Sequence, residues 1–278
     1  MGRARGRQHQ WEVANFKKSS QLREHAESQL GIDVMIPVIE KDLWCLDQVI
    51  DSVKRFVRHP IGRVFIVAPA SVESKLSHLD VDFVFEEDLM PETESFSYQV
   101  GAADRRGWLR QQLMKLNLQV LTERPCLVID ADTVFVSPIS YESNGLITHL
   151  VSDERHLPYR QAYRRLVGVL PVSRMSFVAH GMLFEPEKLI SLQERLEHKT
   201  GSTWANAIIS ATDRTVLSGF SEYETYGNFV RVVEPGKYAS QYWWNLALPR
   251  AKGIGLNDLI NAHGGRYYTV SRHSHAQA

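Results

Sequence analysis

The stretch RPCLVIDADTVFVSP, residues 124 to 138, decides the fold, because an almost wholly apolar run from Cys126 stops at two aspartates. A short run that is apolar throughout is typical of a strand buried on both faces of a parallel sheet. Ligands of such sheets bind beyond the carboxyl ends of the strands, which is where Asp130 and Asp132 fall. The stretch therefore predicts a parallel α/β sheet with a polar site at its edge.

The chain upstream alternates between the same two patterns. Wholly apolar segments predict buried strands, and segments with apolar residues at helical spacing predict amphipathic helices. Together they predict a mostly parallel sheet flanked by helices. The strand segments are IDVMIPV (32–38), RVFIVAP (63–69) and DFVFEE (82–87), and the helical ones are DLWCLDQVIDSVKRFV (42–57), the region 72–79 and WLRQQLMKLNLQVL (108–121). After the last helix, CLVIDADTVFV (126–136) is predicted to return to strand.

The second half of the chain is less regular. GLITHLV (145–151) and MSFVAHGMLF (175–184) predict strands. Three helices are predicted, one with Pro186 in its first turn and two with Ser202 and Ser221 as N-caps. We expect a flexible tail over residues 1–30 and one domain over 31–278, with two fused lobes as the alternative. Its half 31–140 would bind a nucleotide, and its half 141–278 would form an irregular cover on the substrate side.

Composition excludes several functional classes. The 278 residues carry 32 basic and 32 acidic side chains, so no global field attracts nucleic acid. Cys45 and Cys126 lie in apolar segments without partners at metal or redox spacing, which predicts buried, reduced thiols in a cytoplasmic protein. We expect no secretion signal and no transmembrane segment, while peripheral contact with a membrane stays open.

The two aspartates suggest a metal. Carboxylates one residue apart at a strand end repel each other unless a cation lies between them, and hard oxygen ligands favour Mg²⁺ or Mn²⁺. Such an ion can neutralise a diphosphate and stabilise it as a leaving group. The structural alternative is that Asp130 caps a turn and Asp132 is only solvated.

Several segments, in this order, resemble GT-A glycosyltransferases. They are IDVMIPVIEKDLWCLDQVIDSV, GWLRQQLMKL, CLVIDADTVFVSPI, FVAHGMLF and INAHGGR, which together span about 33–266. They look most like the retaining galactosyl- and glucosyltransferases related to glycogenin and to the bacterial lipopolysaccharide galactosyltransferases. FSEYETYGNFV (220–230) is similar to a poorly characterised bacterial group of GT-A proteins.

The resemblance implies a metal site. In it Asp130 and Asp132 are the metal-binding D-x-D, and Ala131 lies near the nucleotide ribose. His263 would be the third metal ligand, as a neutral imidazole. The family's histidine is followed by a phenylalanine-like residue and then by Lys-Pro-Trp, whereas this chain has HGGRYY. Arg266 would take the place of the missing lysine on the diphosphate.

Other candidates for donor binding lie upstream. Gln111 and Lys115 share one face of the predicted helix, and Arg110 lies on the adjacent face. Lys115 or Arg110 can reach the phosphates or the donor sugar from there, with a solvated polar face as the alternative. The resemblance places Pro37 and Val38, at the end of the first strand, beside the nucleotide base.

Three residues are candidates for catalysis. His180 precedes a glycine where the family usually has Asn, Ser or Ala, and it can bind a sugar hydroxyl, transfer a proton or be structural. Glu222 and Glu224 are two apart, so only one can face a given site; Glu224 shares its helical face with Asn228, and Glu222 shares its face with Tyr226. One carboxylate can act as a base or stabilise an oxocarbenium-like transition state. The alternative is that both only complement the helix dipole.

These observations favour a metal-dependent hexosyltransferase. It would move a sugar from a UDP or GDP sugar, with Mn²⁺ or Mg²⁺, to a hydroxyl of a glycan or glycolipid precursor, as in bacterial surface polysaccharides. A nucleotidyltransferase is one alternative, although IPVIEKD (36–42) lacks the glycine-rich phosphate loop usual there. A noncatalytic sugar-binding scaffold with the same fold is the other.

Overall fold

The computed structural model describes residues 11, 13–20, 22, 25–251 and 253–273. The strands are β1 (Ile32–Pro37), β2 (Ile61–Ala68), β3 (Asp82–Phe85), β4 (Gln99–Val100), β5 (Ala103–Asp104), β6 (Cys126–Ile129), β7 (Thr133–Phe135), β8 (Glu142–Ser143), β9 (Leu146–Val151), β10 (Gly181–Phe184), β11 (Tyr238–Tyr242), β12 (Asn245–Pro249) and β13 (Thr269–His273).

Helices surround these strands. They are α1 (Leu46–Phe56), α2 (Glu73–Leu76), α3 (Glu86–Leu89), α4 (Arg106–Leu116), α5 (Leu157–Val167), α6 (Pro186–Thr200), α7 (Trp204–Ala211), α8 (Glu222–Val233) and α9 (Leu256–His263), with 3-10 turns at Glu40–Cys45, Ala70–Val72 and Leu118–Val120.

A five-stranded sheet with the order β10-β6-β1-β2-β3 forms the centre of the fold. The contacts β6-β1, β1-β2 and β2-β3 are parallel, and only β10, at the edge, runs antiparallel. Every residue of β1 and of β6 is buried, because apolar side chains cover both faces. The predicted α/β fold with a mostly parallel sheet flanked by helices is confirmed.

The predicted single strand CLVIDADTVFV divides in two at the aspartates. β6 ends at Ile129, and a turn follows in which the Thr133 amide donates to the Asp130 carbonyl at 3.1 Å. β7 then joins a second sheet of order β12-β13-β7 and pairs antiparallel with β13. The expectation of one continuous strand was wrong because the chain leaves the central sheet at this turn.

Four other elements differ from the predictions in extent. The first helix begins with a 3-10 turn and is α-helical only from Leu46, and the helix expected at 72–79 is the single turn α2. The strand expected at 175–184 begins only at Gly181. The N-cap of α7 is Thr203 rather than Ser202, and its hydroxyl accepts from the Asn206 amide. The predicted Pro186 and Ser221 helix starts are confirmed.

The described residues of segment 1–30 make contacts with the rest of the chain. Residues 13–19 are helical, and the Lys17 ammonium lies 2.5 Å from the Asp153 carboxylate. The His25 Nε2 lies 3.1 Å from the Tyr268 hydroxyl. These contacts hold the segment against the second half of the chain. Residues 1–10 lie outside the described residues.

Both cysteines are free and buried, as predicted. Burial raises the pKa of the Cys126 thiol well above its ordinary value and is the main reason that the pKa of Cys45 rises to about 12. Neither thiol therefore ionises near neutral pH. In the described ranges, no helix combines the length and the apolar character that crossing a bilayer requires.

His149, on β9, is a buried histidine that packs beside a cation. Its Nδ1 lies 2.7 Å from the Arg231 guanidinium, and its ring lies edge-on to Phe177. Burial, and then the charge of Arg231, hold the pKa of His149 well below its ordinary value. Burial also lowers the pKa of His59. Both rings are therefore neutral in the folded protein at neutral pH.

We predict that the protein loses stability as the pH falls through about 6.5, the pKa of an unfolded histidine. Below that pH the unfolded state binds protons that neutral His149 and His59 do not bind in the fold, at about 1.4 kcal/mol per histidine and pH unit. Urea unfolding between about pH 7.5 and pH 5.5 measures the slope. His149→Gln, which keeps an acceptor for Arg231, should show a smaller slope, and an unchanged slope would contradict the assignment to His149.

Candidate active site

A cleft of about 570 Å³ opens at the carboxyl ends of the parallel strands. Its wall is formed by Pro37 at the end of β1, Pro69 after β2 and Asp130 after β6, together with α4 and the first turn of α8. The volume lies within the range of about 300–1,000 Å³ in which small-molecule ligands bind. The edge of the sheet that the sequence predicted to carry the site is thus an open cavity.

A buried cluster of charges forms the wall of this cleft. The Lys115 ammonium, on α4, lies 2.8 Å from Asp130 Oδ1 and 2.8 Å from Glu222 Oε1, and it donates to the Tyr223 hydroxyl at 3.2 Å. Tyr223 in turn donates to Asp130 Oδ1 at 3.3 Å. The side chains of Lys115 and Glu222 are each only 2% exposed. One ammonium thus joins α4, the end of β6 and the start of α8.

The charges of this cluster depend on one another. Burial opposes the charge of Lys115, but the carboxylates of Asp130 and Glu222 outweigh it and raise the pKa of the ammonium well above its ordinary value. Burial raises the pKa of Glu222, and Lys115 opposes that rise. The lysine therefore stays protonated, and the cluster carries one net negative charge when both carboxylates are ionised.

Asp132 lines the cleft together with a carboxylate that the sequence did not indicate. Asp42 lies in the 3-10 turn after β1 and is held by the Arg250 guanidinium at 2.6 Å. Burial raises the pKa of Asp42, the charge of Asp132 adds to the rise, and Lys41 and Arg250 oppose it. No local pattern distinguishes Asp42 from other acidic residues near a helix start.

Basic and aromatic side chains line the cleft as well. Lys41, Arg105 and Arg110 are cations among the lining residues. The Arg105 guanidinium donates to the Leu217 carbonyl at 2.7 Å and lies 4.9 Å from the centre of the Trp108 ring. The cleft therefore offers cations as well as carboxylates, which suits a ligand that carries both phosphate and metal. Trp108, Tyr159 and Tyr223 also line it, and none was singled out from the sequence.

His180 lies beside Asp130 in a strained conformation. Its φ angle is +52°, and its carbonyl accepts from the Asp130 amide at 3.0 Å. Its Nδ1 lies 3.7 Å from Asp130 Oδ2 and 3.3 Å from the Thr133 hydroxyl, and its ring lies 4.8 Å from that of Trp243. A positive φ in a residue other than glycine costs about 1–3 kcal/mol, so surrounding contacts must hold the histidine there.

The structure brings most of the predicted site residues to this one cleft. The lining includes Pro37, Val38, Arg110, Gln111, Lys115, Asp130, Ala131, Asp132, His180 and Glu222. The Lys115 ammonium is engaged by carboxylates, so its predicted contact with phosphate stays a prediction. The same holds for the catalytic roles predicted for His180 and Glu222.

Three predicted residues lie elsewhere. Glu224 is 3% exposed and accepts from the Asn228 amide at 3.0 Å instead of lining the cleft. His263 is the last residue of α9 and Arg266 lies in the turn after it, and neither is among the lining residues. Glu222 and Glu224 are two positions apart, so they point to different sides of the helix and do not face the same site.

Of the three predicted metal ligands, only Asp130 and Asp132 line the cleft, where they could bind a divalent cation. Asp130 and Asp132 offer hard carboxylate oxygens, but Asp130 Oδ1 already accepts from Lys115. No group of three His, Cys, Asp or Glu side chains placed to hold a metal occurs in the part of the chain that the structure describes. A metal held here would therefore need its remaining ligands from phosphate oxygens and water, without His263.

Residues 30–254 match a family of unknown function, DUF6492, and the chain belongs to this family. No curated protein matches the chain significantly. Solved structures similar to the chain include apo mouse xyloside xylosyltransferase 1, at a TM-score of 0.47 and 13% identity over 90% of this chain and 100% of that one. An active-site mutant of LgtC has a TM-score of 0.45 and 12% identity over 89% of this chain and 91% of that one. The galactosyltransferase LgtC with donor and acceptor sugar analogues has a TM-score of 0.45 and 11% identity, over 88% of each chain.

We predict that Lys115→Met destabilises the fold by about 3–5 kcal/mol, because it leaves the buried carboxylate of Glu222 without its counter-ion. The double variant Lys115→Met, Glu222→Gln should recover part of this loss, since the unpaired charge is then gone. Urea unfolding gives the free energy of unfolding of the wild type, both single variants and the double variant, which completes a double-mutant cycle. Purely additive losses would contradict a direct coupling between Lys115 and Glu222.

Proposed function

We propose that this member of DUF6492 is a glycosyltransferase of the GT-A type. It would transfer a sugar from a nucleoside diphosphate sugar to a hydroxyl of a glycan or glycolipid precursor. The observation that carries the proposal is the cleft itself, in which Asp130 and Asp132 follow a central parallel strand and share the lining with the cations Lys41, Arg105 and Arg110. Such an arrangement suits a diphosphate that arrives with a metal.

The donor phosphates would lie between the aspartates and the cleft cations. A diphosphate is repelled by two carboxylates unless a divalent cation lies between them, so Mn²⁺ or Mg²⁺ bound by Asp132 and Asp130 would supply charge neutralisation for the leaving group. Arg110 and Arg105 supply further positive charge from the start of α4 and the residue before it. Lys115 contributes by holding Asp130 Oδ1, which orients that carboxylate.

The nucleoside has a separate part of the cleft available. Pro37 ends β1, Val38 follows it, and Pro69 follows β2, so the lining of the cleft also includes apolar groups. Small-molecule sites typically combine an apolar wall with a few oriented polar groups in this way. We assign the base to this wall and expect UDP or GDP as the nucleotide.

Glu222 and His180 are the groups best placed to act on the sugar. Glu222 lines the cleft with a carboxylate whose charge Lys115 compensates, and it can act as a base or stabilise a positively charged transition state. His180 lines the same cleft beside Asp130 and can bind a hydroxyl or carry a proton. Glu224 has no part in this proposal, because it lies outside the cleft lining.

Binding of the donor is tested by thermal unfolding with a panel of nucleotide sugars, with and without Mn²⁺. The matching donor should stabilise the protein only with the metal, by about 2.7 kcal/mol at a hundredfold excess over Kd. Asp132→Asn should lose this stabilisation, whereas Asp51→Asn, a matched change at an exposed position of α1, should keep it. Equal stabilisation of both variants would remove Asp132 from the site.

The same panel separates the alternative functions. A nucleotidyltransferase would be stabilised by a nucleoside triphosphate and would release pyrophosphate when given a sugar phosphate. A noncatalytic scaffold would bind the donor but neither hydrolyse it nor transfer its sugar. Either result would contradict the proposed transfer.

We predict that Glu222→Gln lowers turnover by about 10²–10⁴ with little change in donor Kd, because it removes a charge needed for the chemistry. Hydrolysis of the donor, or transfer to an added glycan, measures the rate, and thermal stabilisation measures the Kd. Glu224→Gln is the matched control and should retain turnover. A rate for Glu222→Gln within about threefold of wild type, under 1 kcal/mol in barrier, would show that Glu222 is only structural.

A further inference from the structure

One loop far along the chain from the aspartates exposes several aliphatic side chains. We call residues 168–174, between α5 and Met175, the aliphatic loop. The exposed fractions of Val169, Leu170 and Val172 are 39%, 68% and 52%. Single exposed apolar residues are common, but three within four positions need an explanation.

The aliphatic loop is held in place from inside the protein. Gly168 ends α5 with a φ of +89°, which turns the chain outward. The Ser173 amide donates to the side chain of fully buried Asn228 at 3.0 Å, and the Ser173 carbonyl accepts from Arg160 at 3.0 Å. Asn228 is itself fixed by Glu224. The exposed side chains are therefore presented by an anchored backbone.

The chain on both sides of the aliphatic loop is basic. No acidic residue occurs in the sequence between Glu154 and Glu185, whereas the same stretch contains Arg155, Arg160, Arg164, Arg165 and Arg174. Arg164 lies one helical turn before Gly168, and Arg174 is the last residue of the loop; both are exposed.

Two further cations come from α6. The Lys199 ammonium lies 2.6 Å from the Arg165 carbonyl, and Arg195 donates to the Val167 carbonyl at 3.5 Å. Cations at a helix C-terminus are favourable by themselves, which explains Lys199 and Arg195. Arg164 lies in the last turn of α5, so the same effect applies to it. That effect does not explain the exposed aliphatic groups of the loop.

We propose that the aliphatic loop docks on the surface of an anionic lipid bilayer. Aliphatic tips that enter the acyl boundary, with arginines at the level of the headgroups, are the combination that such surfaces bind. A protein partner is less consistent with the loop, because aromatic anchors typical of protein interfaces are absent from 168–174. The formal net charge of the whole chain is zero, so the attraction must come from this local patch.

The docking surface is independent of the proposed sugar transfer. The loop residues are not among those that line the cleft. Membrane binding can therefore be present whether or not the chain transfers a sugar, and each proposal can fail without the other.

Sedimentation with vesicles tests the proposal on the full chain. The wild type should sediment with vesicles of phosphatidylcholine mixed with phosphatidylglycerol, bind vesicles of phosphatidylcholine alone much more weakly, and lose binding at high salt. Leu170→Asp with Val172→Asp should weaken binding by roughly tenfold or more, because charges replace the side chains that enter the bilayer. Arg164→Glu should have a similar effect, since it reverses a charge next to the loop.

An exposed leucine elsewhere in the chain provides a matched control. Leu146, 38% exposed, lies in the hairpin of β8 and β9 opposite Ser143, and Leu146→Asp should leave vesicle binding unchanged. Circular dichroism confirms that each variant is folded. If the double variant does not fold, Arg164→Glu alone decides the outcome.

Two results would overturn the proposal. One is that wild type sediments no more with anionic vesicles than with phosphatidylcholine alone, or that the aliphatic-loop variants bind like wild type. The other is that the variants change only the oligomeric state, measured by light scattering, with no effect on vesicle binding. That second result would make the loop an interface between protein chains.

Discussion

The contact of the Lys115 ammonium with Asp130 and Glu222 is the interaction on which the site depends. It joins a helix of the first half of the chain, the end of a central strand and a helix of the second half. A buried ammonium is costly unless its partners compensate it, so these three elements must keep their relative positions. The same constraint orients Asp130 and places Glu222 in the wall of the cleft.

The turn after β6 is the second constraint. At Asp130 the chain leaves the central sheet and continues as β7 in a different sheet, where it pairs with β13 near the end of the described chain. The aspartates therefore lie at the junction of two sheets. This explains why the cleft collects residues as far apart in sequence as Asp42, His180 and Glu222.

The segment SEYETYGNF serves two parts of the molecule because it is helical. Glu222, at the first position of α8, points to the cleft, whereas Glu224 and Asn228, one turn apart, bond to each other and anchor the aliphatic loop through Ser173. The sequence already showed that Glu222 and Glu224 could not share a face. It did not show which of the two would reach the cleft.

Local patterns determined the fold class and the edge at which the site lies. Apolar runs such as CLVI and helical periodicity depend on neighbouring residues, so the parallel strands, Pro186 and Ser221 at helix starts, and Asp130 and Asp132 at a strand end could be read from the sequence.

Only the tertiary structure decided which distant side chains meet. It brought Asp42 and Asp132 into the lining of one cleft, paired Lys115 with Glu222 and left His263 outside that lining. It also divided the predicted strand at the aspartates and packed part of the N-terminal segment on the domain. Each of these outcomes depends on how segments far apart in sequence pack and on which buried charges find partners, and no local pattern encodes that.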